Sequence, residues 1–502
     1  MSSYGLRFLL CALQTLLLYS LLNGVASAQG LPFLPAGDSR LRHEVELNRD
    51  EERVPLSTTW PIPLDDIPER YRETTRSVDQ PGSATDAGWF LQGGANPTKL
   101  RVYEQTPRES AEAGVRAGWA AGDYSGGVVR FSYALHPSDQ MHYRLDGTYA
   151  SWKLGNWWAT LGAQERWWGP GWDGSLIFGN NARPMPGVTL ERASSIAPQS
   201  KWLSWIGPWR LVTFLDRMET SRPDYGKINF WGARVTFAPI TGVEIGLTRT
   251  AQLCGVGRPC GLRTYFDMLT ARKNLIVDES GNPDINSKPA GNHSAIDVRW
   301  HIGHSPVSIY WQEDVEAIYS TNYGPTQTLQ LAGIELAGRS INEGRTRTFL
   351  EYADTACEGS AIGQPYAVNF GCAYEKDTYL AGYRFRGRSI GDAMDRDGRR
   401  FTLGHMYTDE AGRFWQLRLR RLEINRGGVA QPGLVPHTLS TVPRLYWTIE
   451  PSVGGQFHQF NYTVGGALDQ TNTFVYGLGG DTGFGHKIGY SGHFFASISA
   501  SW

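Results

Sequence analysis

The sequence predicts an all-β transmembrane barrel of about eighteen antiparallel strands, preceded by a short helical periplasmic N-terminal head. Three features point there: a cleavable secretory segment, a hydropathy period of two from about residue 96 onward, and connections that are short on one side and long on the other. The 502 residues carry 48 Lys and Arg against 49 Asp and Glu, with aromatic residues at 12 % and charged residues at only 19 %. A net charge of −1 without a basic block excludes a nucleic-acid partner, because neutralising phosphates needs a local cationic surplus. Mean hydropathy is −0.36. Past the N-terminus no run reaches the roughly 18 apolar residues of a membrane helix, but barrel strands hide their apolar half in alternation.

At the N-terminus, Arg7 precedes an apolar stretch from Phe8 to Leu22 that ends in Val25-Ala26-Ser27-Ala28. This reads as a signal peptide over 1–28, with a transmembrane anchor as the rival, and Cys11 leaves with it. In the oxidising compartment beyond, Cys254, Cys260, Cys357 and Cys372 suggest two disulfides. The pairs Cys254–Cys260 and Cys357–Cys372 are favoured because each lies inside one predicted loop. Zinc ligation and free buried thiols are the other readings.

Residues 29–88 form the expected head and linker, with helical segments at Leu41 to Leu47 and Pro63 to Tyr71 and an extended piece at Thr58 to Pro61. The barrel is assigned to 89–502. Runs such as Trp231-Gly-Ala-Arg-Val-Thr-Phe237 and Trp415-Gln-Leu-Arg-Leu-Arg420 alternate large apolar with polar residues. Strands are expected near 97–105, 111–121, 125–135, 141–152, 156–165, 186–194, 208–217, 227–238, 243–252, 295–302, 306–314, 327–338, 346–355, 399–408, 413–425, 443–451, 457–465 and 490–502. Tight turns at Asp123 to Gly126, Leu154 to Asn156, Ile240 to Gly242 and Glu410 to Gly412 mark one end, and long connections at 253–294 and 356–398 the other. The connection at 195–207 is long on the short side. The final strand ends on Trp502, as the aromatic insertion signal of outer-membrane barrels does.

The block Trp167-Trp-Gly-Pro-Gly-Trp-Asp-Gly-Ser-Leu176, with Ala182-Arg-Pro-Met-Pro186, resembles the most distinctive stretch of the Wzi-like capsule assembly family of bacterial outer-membrane proteins. Leu56-Ser-Thr-Thr-Trp-Pro61, Trp202 to Trp209, Gly232 to Pro239 and Gly391 to Gly398 resemble family stretches in the same order. The resemblance implies an eighteen-stranded barrel with a small helical head, acting as a surface lectin for exported capsular polysaccharide. Where the family head resembles a three-helix bundle, the third helix is replaced here by Ser77-Val-Asp-Gln-Pro-Gly-Ser-Ala-Thr-Asp86.

The candidate polysaccharide-binding residues are Trp167, Trp168, Trp172, Asp173 and Arg183. Aromatic faces suit the CH patches of pyranose rings, and an arginine fork suits uronic-acid carboxylates. The alternative is that the tryptophans are fold anchors plugging the lumen. Alternation also turns Arg130, Arg144, Asp146, Arg234, Glu244, Asp297, Arg299, Arg418 and Arg420 into the lumen, to guide an acidic polymer or to form a structural network of paired charges. The start of a calcium loop at Asp395-Arg-Asp-Gly398 lacks the later Glu, so no metal site and no cofactor are assigned.

The function expected is thus a non-enzymatic, lectin-like barrel that attaches and assembles capsular or exopolysaccharide, its loops at the cell surface. Its other partners are outer-membrane lipid and the polysaccharide export machinery. The alternative is an outer-membrane porin or polysaccharide channel, compatible with the strand number and the lumenal charges.

Overall fold

The computed structural model describes residues 31–51, 56–68, 85–96, 100–270, 290–317, 327–339, 344–361, 364–375, 378–428, 435–475 and 485–501. The segment expected as a signal peptide, residues 77–84 of the stretch expected to replace a third helix, and Trp502 lie outside them.

Eighteen staves close into an antiparallel barrel among the described residues. In chain order they are β1 (Thr85–Ala95), β2 (Ala111–Ala121), β3 (Ser125–Leu135), β4 (Tyr149–Leu154), β5 (Trp157–Gly162), β6 (Gly187–Arg192), β7 (Trp209–Arg217), β8 (Ile228–Ile240), β9 (Val243–Cys254), β10 (Ala290–His301), β11 (Val307–Ala317), β12 (Gln327–Arg339), β13 (Arg345–Ala361), β14 (Arg399–Thr408), β15 (Phe414–Ile424), β16 (Arg444–Phe457), β17 (Phe460–Val475) and β18 (Gly485–Ser501). Closure is made by β18 on β1, in register from Phe494 opposite Ala95 to Ser501 opposite Gly88. Because side chains alternate across a strand, each stave turns one set inward and one outward. On β15, Gln416, Arg418 and Arg420 are buried, whereas Trp415, Leu417 and Leu419 are exposed. The outer wall is therefore an apolar band, continued by Leu247, Ile296, Trp300, Ile334, Leu350, Phe401 and Ile449.

The first stave is Thr85–Ala95, not 97–105, so a boundary at residue 88 falls inside it. The run Leu100-Arg-Val-Tyr103 alternates like a strand, but it lies inside the molecule with all four residues buried. The 195–207 connection carries a single 3-10 turn, Ser204–Ile206, and leaves Trp202 and Trp205 exposed at the short-turn end.

The N-terminal segment occupies the lumen rather than standing apart from the barrel. The helix α1 (Ser39–Glu51) is capped by Asp38, whose carboxylate accepts the Leu41 N–H at 2.8 Å. Leu41, Arg42, His43, Glu44, Val45 and Glu46 are all buried, a polar helix enclosed because its charges meet partners on the barrel wall. Downstream, Thr59–Trp60 pairs as a short antiparallel ladder with Trp167–Trp168. The helix expected over Pro63 to Tyr71 is reduced to the 3-10 turn Leu64–Asp66, with 69–71 outside the described residues.

Candidate functional site: the filled lumen and the long-loop rim

Three segments converge inside the barrel. From the short-turn end comes 31–68. Its Ser57 and Thr58 N–H groups donate to Glu244 at 3.0 and 2.9 Å, and Arg210 donates to the Thr59 and Pro61 carbonyls at 3.0 Å each. On α1, Glu46 meets Arg299 at 3.1 Å and Arg347 at 3.3 Å, and both arginines also bind Glu335. Arg234 makes a bidentate pair with Asp297, at 2.6 and 2.9 Å. These partners lie on six strands, β7, β8, β9, β10, β12 and β13, so the plug stitches the wall together through charge-assisted bonds.

The loop between β5 and β6 fills the middle. Gly169 has φ +151°, and a Cβ there would press on the Gln312 side chain; a Cβ at Gly174 would strike the Arg400 guanidinium. The glycines of the Trp-Trp-Gly-Pro-Gly-Trp-Asp-Gly block thus let the backbone lie against the wall. Trp172 lies against the Arg42 and Arg347 guanidinium groups, 4.0 and 4.9 Å from its ring, and its indole N–H donates to Glu335 at 2.8 Å. Asp173 accepts two bonds from Arg420 at 2.8 Å each and one from Thr402 at 2.7 Å, with Arg400 at 3.1 Å.

Trp167, Trp168, Trp172 and Asp173 are at most 1 % exposed. Stacking on a sugar needs an open ring face, and none of these rings has one. Arg183 sits nearer the rim, but its fork is taken up by Asp146, at 2.8 Å twice, and by Asp139 at 2.6 Å. The geometry corresponds to the fold-anchor alternative, and direct contact of this block with polymer is not what the interior position supports.

From the long-loop end, residues 370–398 fold inward above it. Arg384 binds Glu375 and Asp395 at 2.7 Å each, and Asp395 also accepts the Thr438 N–H at 3.0 Å. These partners hold the Asp395 carboxyl well below the usual range, although burial opposes them. The place of a cation at the Asp395 to Gly398 stretch is thus filled by a guanidinium. Among the described residues no group of three or more His, Cys, Asp or Glu is placed to hold a metal. Asp397, close by, is pushed up to about 6, chiefly by burial. Burial likewise lowers His437, whose Nε2 bonds the Arg396 carbonyl while Nδ1 accepts the Leu439 and Ser440 N–H groups, fixing a neutral ring. The sequence marked Asp395 to Gly398 only as the start of a calcium loop; its partners Arg384, Glu375 and His437 carried no pattern, because they meet it only in the folded chain.

The lumenal residues expected from alternation do face inward, but they bind the plug or one another. Arg144 binds Glu109 at 2.7 Å, Asp146 holds Arg183, and Arg418 and Arg420 share Glu450 at 3.3 and 2.8 Å. Arg130 lines a cavity of about 340 Å³ toward the short-turn end that Glu104, Arg116, Tyr149 and Gln416 also border. Disulfides join Cys254 to Cys260 and Cys357 to Cys372, each closing a long-loop segment.

A family model described as capsule assembly protein Wzi matches residues 101–464. A Klebsiella pneumoniae protein described as an uncharacterized 55.8 kDa protein in the cps region is 27 % identical over 451 residues, 84 % of this chain and 83 % of its own length. Among solved structures, the Escherichia coli outer membrane protein Wzi aligns over 93 % of this chain and 99 % of its own, with TM-score 0.74 and 22 % identity. It is described as involved in group 1 capsule assembly and as a carbohydrate binding beta-barrel.

Proposed function

The chain belongs to the Wzi capsule assembly family, and from that premise we propose that it is a non-enzymatic outer-membrane barrel that holds exported capsular or exopolysaccharide at the cell surface. The observation that carries this reading is the filled lumen. Among the described residues, parts of 31–68, the 163–186 loop and parts of 370–398 are bonded to the wall, which supports a polymer being met at the rim rather than passed through the barrel. Short turns on one side and long loops on the other support an orientation with the long-loop end outside the cell.

The rim offers suitable chemistry. Arg258 lies 5.4 Å from the Tyr225 ring and 5.3 Å from that of Tyr379, and Arg386 lies 5.4 Å from the Phe385 ring. Both forks are half-buried rather than enclosed and suit uronate carboxylates, while the buried Tyr379 and Phe385 rings hold them in place from beneath. Individually weak contacts suffice, because a repeating polymer bridges many copies of the protein and gains avidity. Trp167, Trp168, Trp172, Asp173 and Arg183 support this surface from beneath. The export machinery, as a further partner, would meet the short-turn face.

The test is the double variant Arg258→Ala with Arg386→Ala. The barrel should stay heat-modifiable on a gel while surface-bound polymer falls several-fold and free polymer rises. Parental retention would remove these residues from the binding face. The channel alternative predicts steady single-channel conductance, which the filled lumen does not favour.

A further inference from the structure

The connection after β9 folds back onto the outside of the barrel. On β9 the inward positions are Glu244, Thr248, Thr250 and Gln252, so Leu247, Arg249, Ala251 and Leu253 point outward. Leu247 is exposed like the rest of the apolar band, but Ala251 and Leu253 are fully covered by the helix α2 (Leu262–Leu269), whose Met268 packs on them beside Trp231. Three ties fix the helix: the Cys254–Cys260 disulfide, a 2.8 Å bond from Asn229 to the Tyr265 hydroxyl, and bonds from Arg249 to the Met268 and Leu269 carbonyls at 2.7 and 3.3 Å. Asn229 sits opposite Leu253, four residues nearer the long loops than Arg249. The helix therefore descends the wall, with its C-terminus nearest the apolar band.

Its other face is apolar and uncovered. Leu262 is 90 % exposed and Phe266 and Leu269 are 54 % exposed, at the i, i+4, i+7 spacing of a single stripe, with Arg263 on its flank. Three outward apolar residues precede Arg249 on β9, and three (Trp415, Leu417, Leu419) precede the outward Arg421 on β15, so Arg249 stands at the upper edge of the band. The helix C-terminal carbonyls take up that charge, leaving no bare guanidinium beneath the helix.

We propose that α2 is an interfacial anchor whose Leu262, Phe266 and Leu269 stripe enters the acyl-chain border of the bilayer at the long-loop rim, pinning the disulfide-stapled loop to the membrane. The occupant follows from continuity. The stripe extends the outward apolar run that ends at Leu247 and Ile296, and an amphipathic helix with a cationic flank settles with its apolar face at that depth. The inference rests on the barrel spanning a membrane, as proposed above.

The full chain, in vesicles of phosphatidylcholine and phosphatidylglycerol, tests it with nitroxides attached to Leu269→Cys, Phe266→Cys, Leu262→Cys and, as control, Leu247→Cys. All four side chains are exposed, so the labels leave the packing intact. Collision with oxygen relative to a water-soluble nickel complex should be several-fold higher at 269 than at 262, with 266 between them and 247 at least equal to 269. Nickel-dominated collisions at all three helix sites with an oxygen-dominated 247 would overturn the anchor alone. Shielding of the helix sites from both probes would overturn it in favour of a second copy. Nickel access at 247 would overturn the membrane reading, and the anchor with it.

Discussion

At the scale of single residues, the buried charges separate groups that hold the fold from groups that tune it. Asp173 is the carboxylate on which Arg400 and Arg420 converge, so Asp173→Ala leaves buried guanidinium groups short of a partner. That should cost roughly 3–5 kcal/mol, read as a lower urea midpoint of the detergent-solubilised barrel. Trp172→Ala removes a ring that lies against two arginines and should cost a similar ~3–5 kcal/mol. A normal midpoint for both would place the block outside the load of the fold. Asp397 behaves oppositely. Its folded pKa of about 6 lies above the ordinary value of 3.8, so the folded chain binds this proton more tightly than the unfolded one. The cost of keeping it ionised is fully present above about pH 6 and is relieved as pH falls toward 4. Asp397→Asn should therefore gain roughly 1–3 kcal/mol over the parent at pH 7.5, a gain that shrinks by pH 5. Urea unfolding at the two pH values measures it, and a pH-independent difference would contradict the assignment.

At the scale of elements, α1 and the segment after it decide whether the lumen is closed. Glu46 is the bridge to Arg299 and Arg347, on β10 and β13. A chain lacking residues 31–68 should still form staves, because their pairing is with one another, and, with the 163–186 loop freed from the Thr59–Trp60 ladder and from Arg42, should conduct in planar bilayers where the parent does not. Equal conductance of the two would mean that the segment does not close the pore. The staves were legible in the sequence because one buried and one lipid-facing side force a period of two. The exception, 97–105, satisfied the same period for another reason: Leu100, Val102 and Tyr103 are buried inside the barrel. The plug was not legible, since the fully buried apolar residues of α1 are Leu41 and Val45, and the positions that enclose it, such as Arg299, are some 250 residues away. The tryptophan block was visible as a motif, but its interior position was not. Aromatic and glycine residues at that spacing serve a sugar platform or a tight internal turn equally well, and only the facing Glu335, Glu351 and Arg400 decide between them.

At the scale of the whole molecule, a closed barrel with a polar plug has an apolar outer wall to hold it in a bilayer and two ends that face different compartments. The described lumen is packed with paired charges, and the function proposed above accordingly assigns recognition to the rim. Retention of polymer by many weak contacts then depends on copy number, so surface-bound polysaccharide should fall steeply as expression is lowered, more steeply than in proportion. Titrating the gene from an inducible promoter against surface and medium polysaccharide checks this, and a strictly proportional response would argue for one tight contact per chain. The most direct measurement is the partition of polysaccharide in a strain lacking the protein. The account predicts undiminished total polymer with most of it shed into the medium, restored to the surface by the intact chain. Polymer that stays on the cell in the deletion strain, or that is no longer exported at all, would contradict it.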